Sequence, residues 1–177
     1  MKRIVLGVLI SGVALFGVVF VIGSQLSVAH VASVRATYSA SAEDIFALIS
    51  DYRRHPDWRP SVERIEELAP RDGKPAWQEI GSTGPLPMEL TESNPPRSMV
   101  TTILSEGMPF GGRWIYALEA TAGGGGTALT ITEEGEVYNP IFRFVSRFII
   151  GHHKTATTYL QDLGRKLGDD VAVEVVR

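Results

Sequence analysis

From Ile4 to Ile22 the chain carries no charged residue and nothing more polar than Ser11, and a helix built on such a run has few places to go. At 1.5 Å per residue it rises about 28 Å, close to the ~30 Å hydrocarbon thickness of a bilayer. A helix lying on a globular domain normally keeps a polar stripe toward water, whereas one apolar on every face, as here, is a membrane span or a fully buried core helix. A place at the extreme terminus disfavours the core. A single membrane-spanning anchor is therefore expected. Lys2 and Arg3 precede the run and the next basic residue is Arg35, so the positive-inside bias places the N-terminus in the cytoplasm and the rest of the chain outside it. The alternative is a cleaved export signal, with Lys2-Arg3 as its basic start and Ser27-Val28-Ala29 as small residues for cleavage. Against that, the run is longer than the usual apolar segment of about 7–15 residues.

The remaining ~150 residues are enough for one domain with a sizeable core. That core must stand without staples, because the 177 residues include no cysteine. A disulfide framework, a thiolate metal site and a thiol nucleophile are all excluded. The formal net charge is −3, and setting Lys2 and Arg3 aside makes the rest more acidic still. Nucleic acid is a poor partner for such a surface.

After a polar tether over residues 24–30, His30 to Tyr38 alternates, with Ala32, Val34, Ala36 and Tyr38 on one side, as a half-buried strand does. Ser41 then caps a helix with Glu43 and Asp44 in its first turn and Ile45, Phe46, Leu48 and Ile49 as its apolar positions. Asp51 to Trp58 continues as a short helix or turn, ended by Pro56 and Pro60. Strands are predicted near Val62–Leu68, Ala76–Ile80, Met88–Ser93, Ser98–Ser105, Gly112–Ala120 and Thr127–Val137. Turn-forming residues separate them, among them Asp72-Gly73, Asn94-Pro95-Pro96 and Gly123 to Gly126. Spacings near ten residues without intervening helices predict antiparallel pairing. Asn139-Pro140 starts a helix. Its apolar positions, Ile141, Phe144, Val145, Phe148, Ala156, Tyr159, Leu160, Leu163 and Leu167, keep helical spacing for about seven turns. Gly151 is a candidate bend. Asp169 to Arg177 reads as a frayed tail.

The order is α+β, with a long helix laid across a curved antiparallel sheet. Two segments make a resemblance specific. Ser41-Ala-Glu-Asp-Ile-Phe-Ala-Leu-Ile-Ser-Asp-Tyr-Arg-Arg-His-Pro-Asp-Trp58 resembles the opening signature of the START-like (SRPBCC) superfamily, in its polyketide cyclase/dehydrase-like branch. Asn139-Pro-Ile-Phe-Arg-Phe-Val-Ser-Arg-Phe148 is similar to the start of that branch's last helix. The resemblance covers residues 31–168 and implies the helix-grip (START/Bet v 1-like) fold. That fold is a seven-stranded sheet around the C-terminal helix, with a cavity for an apolar small molecule or lipid between them. The N-terminal span departs from it, since many members lack one. Neither segment is a catalytic motif, and fold does not fix function.

For the cavity, Trp77, Trp114, Tyr116, Phe144 and Phe148 are the nominated ligand-binding residues, although each also suits plain core packing. An enzymatic alternative, of cyclase, dehydratase or hydrolase type, pairs His152 with a strand carboxylate, Glu89 or Glu133, as acid and base. Asp51, His55 and Trp58 resemble a structural corner of the family, in which the Asp and His tie the short helices down and the Trp packs beneath. Adjacent His152 and His153 point about 100° apart on a helix, and no His-x3-His pair accompanies them there, so neither a metal nor a cofactor is expected. Arg143, Arg147 and Lys154 share a face that suits either solvent or lipid headgroups. The leading expectation is a membrane-tethered domain that binds a hydrophobic molecule and meets the membrane through Ile4 to Ile22.

Overall fold

The computed structural model describes residues 2–82 and 84–176, with side chains described from Val13 onward. Helix α1, Lys2–Gln25, leads into β1, Ala29–Tyr38. Then follow α2, Ala42–Ser50, a 3-10 turn, Tyr52–Asp57, and six strands: β2 Arg64–Arg71, β3 Lys74–Gly81, β4 Gly84–Asn94, β5 Ser98–Ile103, β6 Phe110–Ala120 and β7 Thr127–Val137. The chain closes with α3, Pro140–Val145, a π-helical turn, Ser146–Ile150, α4, Lys154–Leu167, and β8, Glu174–Val176. The strands form one antiparallel sheet in the order β2-β3-β4-β5-β6-β7-β1-β8.

Local chemistry accounts for the boundaries. Ser41 accepts a bond from the Asp44 amide at the start of α2, and the Asn139 side chain accepts from Ile141 and Phe142 at the start of α3, so both caps satisfy otherwise orphaned amides. Asp72 and Gly73, with φ of 50° and 77°, supply the two left-handed residues that a two-residue hairpin between β2 and β3 demands.

The expected seven-stranded sheet has an eighth strand. Residues 174–176, read from sequence as tail, pair with Ser33–Arg35 of β1. The unpaired edge of β1 explains this, since an open row of backbone groups recruits whatever extended segment reaches it. The predicted long helix is also corrected. The backbone turns π-helical at Ser146–Ile150 and stops at Gly151, whose φ of 82° no helix accommodates, before α4 begins at Lys154.

The core lies between the sheet's concave face and α4. Val34, Ala36 and Tyr38 of β1, Leu129 and Ile131 of β7 and Met99 of β5 meet Ile45 and Ile49 of α2 and Leu160 and Leu163 of α4. The Tyr38 hydroxyl ties the layers by donating to the Leu160 carbonyl at 2.9 Å.

The span expected at Ile4–Ile22 falls within α1, and the side chains of its first part, residues 4–12, lie outside the described residues. Among the described residues no helix is long and apolar enough to cross a membrane, so the structure does not support the anchor. The described side chains of α1, from Val13 to Ile22, are apart from Gly17 and Val19 large exposed hydrophobics or alanine. The helix ends against the domain at Gly23, where an added Cβ would sit 1.9 Å from the Pro140 carbonyl oxygen. Only glycine permits that seat.

Candidate functional site

The concave face reads directly from strand parity and register. Leu129, Ile131 and Glu133 of β7 point the same way, and across the ladders Glu133 stands opposite Trp114 of β6 and Ala32 of β1, while His30 stands opposite Gly135. Two halves of this face differ in what covers them.

Under α4 the face is packed with aromatic rings around Tyr159. Trp58, Trp114 and Tyr116 lie with ring centroids 5.2, 5.7 and 5.7 Å from it. The Arg59 guanidinium sits over the Tyr159 ring at 4.9 Å, a cation–π contact in a desolvated place. Arg59 donates to Glu79 at 2.6 Å, His55 Nδ1 is 3.0 Å from the same carboxylate oxygen, and His55 Nε2 is 3.2 Å from the Ile49 carbonyl at the end of α2. Burial pushes the Glu79 carboxyl up, but the bonds from His55 and the charge of Arg59 outweigh it and hold the pKa at about 2. Burial raises the hydroxyls of Tyr116, to about 12, and of Tyr159. The buried Trp58 Nε1 in this region has no hydrogen-bond partner, while Thr101 and Tyr159 both lie beside the Tyr116 hydroxyl. An orphan such as that indole is rare, because it forfeits water without replacement.

Toward the other end the helix breaks, and the face opens into a cavity of about 320 Å³ between residues 26–30 and the α3 to α4 segment. Glu133 accepts from the Trp114 indole at 3.0 Å and meets His30 Nε2 at 3.1 Å. The His30 ring stacks on His152, centroids 3.9 Å apart, and His152 Nδ1 is 3.2 Å from the Ser146 hydroxyl. Gly135 makes the stack possible, since a Cβ there would come within 2.3 Å of the His30 ring. Burial, and then the nearby positive charges of His30 and Arg147, lower the pKa of His152. Arg143 donates to the Leu26 carbonyl at 2.8 Å, while its Nε is buried without a partner. A second cleft, of about 410 Å³, lies beside Tyr52 and β2–β3, but Glu67 there is taken up by Arg53 and the Tyr52 hydroxyl.

The five nominated ligand-binding residues do not meet in one place. Trp114 and Tyr116 share the wall beside Tyr159. Trp77 is buried in a separate cluster, stacked on Tyr52 at 4.3 Å beside Met88. Phe144 pairs with Phe148 at 5.0 Å, and Phe148 is 59% exposed. Of the two proposed carboxylate partners for His152, Glu133 is reached through His30, whereas Glu89 lies on β4 near Arg71. In the corner His55 lies 3.2 Å from the Ile49 carbonyl at the end of α2, and the Trp58 ring meets Tyr159 edge-on. The Asp51 side chain makes no bond among the described residues, and its carbonyl holds the turn by accepting from Arg54. Among the described residues no group of three or more potential ligands gathers for a metal. Sequence reasoning missed His30, Arg59, Glu79 and Tyr159. Two had a signal: His30 shares even-numbered parity with the inward Ala32 and Val34, and Tyr159 lies on the apolar row of the last helix.

Solved structures share this architecture. A START superfamily protein from Mycobacterium smegmatis superposes with a TM-score of 0.60 at 16% identity, covering 78% of this chain and 97% of its own. Norcoclaurine synthase from Thalictrum flavum gives 0.62 at 13%, covering 85% and 92%. The Zhui aromatase/cyclase from Streptomyces sp. R1128 gives 0.64 at 11%, covering 79% and 94%. At such identities the likeness carries the fold alone. No curated protein sequence is significantly similar to this chain. The family model described as polyketide cyclase/dehydrase and lipid transport, however, matches residues 29–165, and with three quarters of its length and both ends of the helix-grip inside that match, the chain belongs to this family.

Proposed function

We propose that the domain binds a hydrophobic small molecule or lipid between the concave sheet and the last helix, entering at the cavity beside His30 and His152. The observation that carries this is the cavity at the break in the last helix, beside a wall of aromatic rings in which the buried Trp58 Nε1 has no hydrogen-bond partner. A ligand with a large apolar body and an oxygen within reach of that indole would supply the partner, which is how small-molecule sites combine burial with orientation. The open volume, about 320 Å³, stands at the lower end of the range for such sites, roughly 300–1,000 Å³. Native mass spectrometry of protein extracted in mild detergent tests the reading. A co-purified apolar ligand is expected, and protein that is repeatedly empty and takes up no apolar probe would overturn it.

A membrane tether at Ile4–Ile22 completes this reading. It rests on the charge-free sequence and on Lys2-Arg3 before it, and it puts the domain on the extracytoplasmic face beside a ligand reservoir, where modest affinity suffices. Mature protein beginning near His30 would make the segment an export signal instead.

One observation favours an enzymatic second reading. Glu133, His30, His152 and Ser146 form a connected chain at the cavity mouth, and a histidine with lowered pKa is neutral and ready to take a proton near pH 7. Two structural neighbours, the synthase and the aromatase/cyclase, are enzymes. A bound ligand recovered chemically changed, with the change abolished by His152→Gln, would establish this reading over simple binding.

A further inference from the structure

We propose that the cavity mouth holds the oxyanion head, carboxylate or phosphate, of an amphiphile whose apolar chain runs inward over Trp114 and Tyr159. The inference rests on the ligand-binding reading and names the class of ligand.

The mouth carries an excess of cation. Arg143 and Arg147 line it from α3 and the π turn, and Glu133, the carboxylate bonded to His30 at the mouth, is already engaged by the Trp114 indole as well. Elsewhere arginines of the sheet meet carboxylates of their own, as Arg113 does Glu134 and Arg64 does Glu66, whereas among the described residues neither Arg143 nor Arg147 forms an ion pair. Arg143 commits one Nη to the Leu26 carbonyl and leaves Nε buried with no acceptor. A buried donor without a partner is costly, and an oxyanion is the acceptor whose shape matches a guanidinium edge.

The histidine pair fits the same ligand. His152 faces His30 from β1, Glu133 from β7, and Arg147 and His153 from its own segment, and its pKa is lowered first by burial and then by His30 and Arg147. An incoming anion offsets the Arg147 charge and draws a proton onto the ring. The remaining wall, Leu26, Ser27, Val28, Ala29 and Val137, is apolar but for Ser27, whose hydroxyl donates to the Ala29 carbonyl. Such a wall disfavours a hydrated inorganic ion and suits a head that brings a chain with it.

The test uses the full chain in neutral detergent and four probes: palmitate, hexadecyl phosphate, hexadecanol and inorganic phosphate, with binding followed by tryptophan fluorescence. At least one of the two acids is expected to bind tenfold or more tightly than hexadecanol, and the tighter acid names the head. Arg147→Gln, an exposed position where folding is not at stake, is expected to reduce that preference several-fold, and Arg143→Gln to reduce it further. The imidazole titration of His152, read by NMR, moves to higher pH on adding the acid and stays put with the alcohol. Equal affinity for acid and alcohol, or a preference that survives both arginine variants, overturns the inference while leaving the ligand-binding reading intact. Inorganic phosphate binding as tightly as hexadecyl phosphate overturns it in favour of a small-anion site. If no long-chain probe binds at all, both fall together.

Discussion

Two histidine–glutamate pairs, each with an arginine nearby, face the inside of this sheet, and they have opposite characters. His55, Glu79 and Arg59 lie in one buried knot whose acceptors and donors are used on each other and on the end of α2. His30 and Glu133 lie at the cavity edge, and the arginines beside them keep donors to spare. The same residue types thus serve two ends. Where the last helix covers the face without interruption, the charges neutralise one another and fasten elements together. Where the helix breaks at Gly151, they are left open to a visitor.

The difference predicts unequal consequences for equivalent changes. Glu79→Gln leaves the Arg59 guanidinium buried without its counter-charge and is expected to cost about 3–5 kcal/mol, read as a large drop in the urea midpoint. If the loss is under ~1 kcal/mol, the knot is not the fastening described. Acid should act at the same place. Because the Glu79 carboxyl is held at about 2 in the folded state, below its ordinary value, its contribution is complete above that ordinary value and disappears as pH falls toward 2. The Glu79→Gln variant should therefore show a flatter loss of stability between about pH 4.5 and 2 than the parent, since its side chain binds no proton there.

At the open end, Glu133→Gln is expected to cost no more than ~1–2 kcal/mol, because water can reach the groups it leaves. Its signature is instead in titration. Removing the negative charge of Glu133 beside His152 should carry that already lowered pKa further down, visible in the imidazole proton shifts, and an unmoved His152 would separate Glu133 from the cluster. The smallest effect is expected for Tyr159→Phe. Its hydroxyl meets only the neighbouring Tyr116 hydroxyl, so thermal stability should change by no more than ~1 kcal/mol. Affinity for a co-purified ligand should fall nonetheless if the hydroxyl is one of the atoms that orient it. A loss of stability as large as that of Glu79→Gln would mean that the hydroxyl is held within the fold by more than that one contact.

Much of the framework was legible because it is written locally. The Ser41 and Asn139 caps, the Asp72-Gly73 hairpin and the alternation from Ala32 to Tyr38 each depend on residues within a few positions, and all appear where the sequence puts them. The sites were less legible because they depend on register. Glu133 reaches His30 only since β1 and β7 pair with Ala32 opposite Glu133, and Glu79 reaches Arg59 across twenty residues of chain. No periodicity announces either meeting. The nominated Trp77 and Phe148 illustrate the same limit. Aromatic residues in a strand and on a helical row look alike in sequence, yet one is walled into a side cluster and the other projects outward. The π turn is a third case, since Ser146 to Ile150 continues the apolar spacing through the place where the backbone departs from it.

Gly23 has a mechanical meaning. With its Cα pressed on the backbone of Pro140, with Arg143 holding the Leu26 carbonyl, and with only residues 26–28 between α1 and β1, the N-terminal helix meets the domain at a rigid elbow and not on a leash. Swinging the domain about that joint would have to break these contacts. A torque applied to α1 is delivered straight to α3 and to the arginine that guards the cavity, so whatever fixes the orientation of the helix also fixes the direction in which the cavity faces.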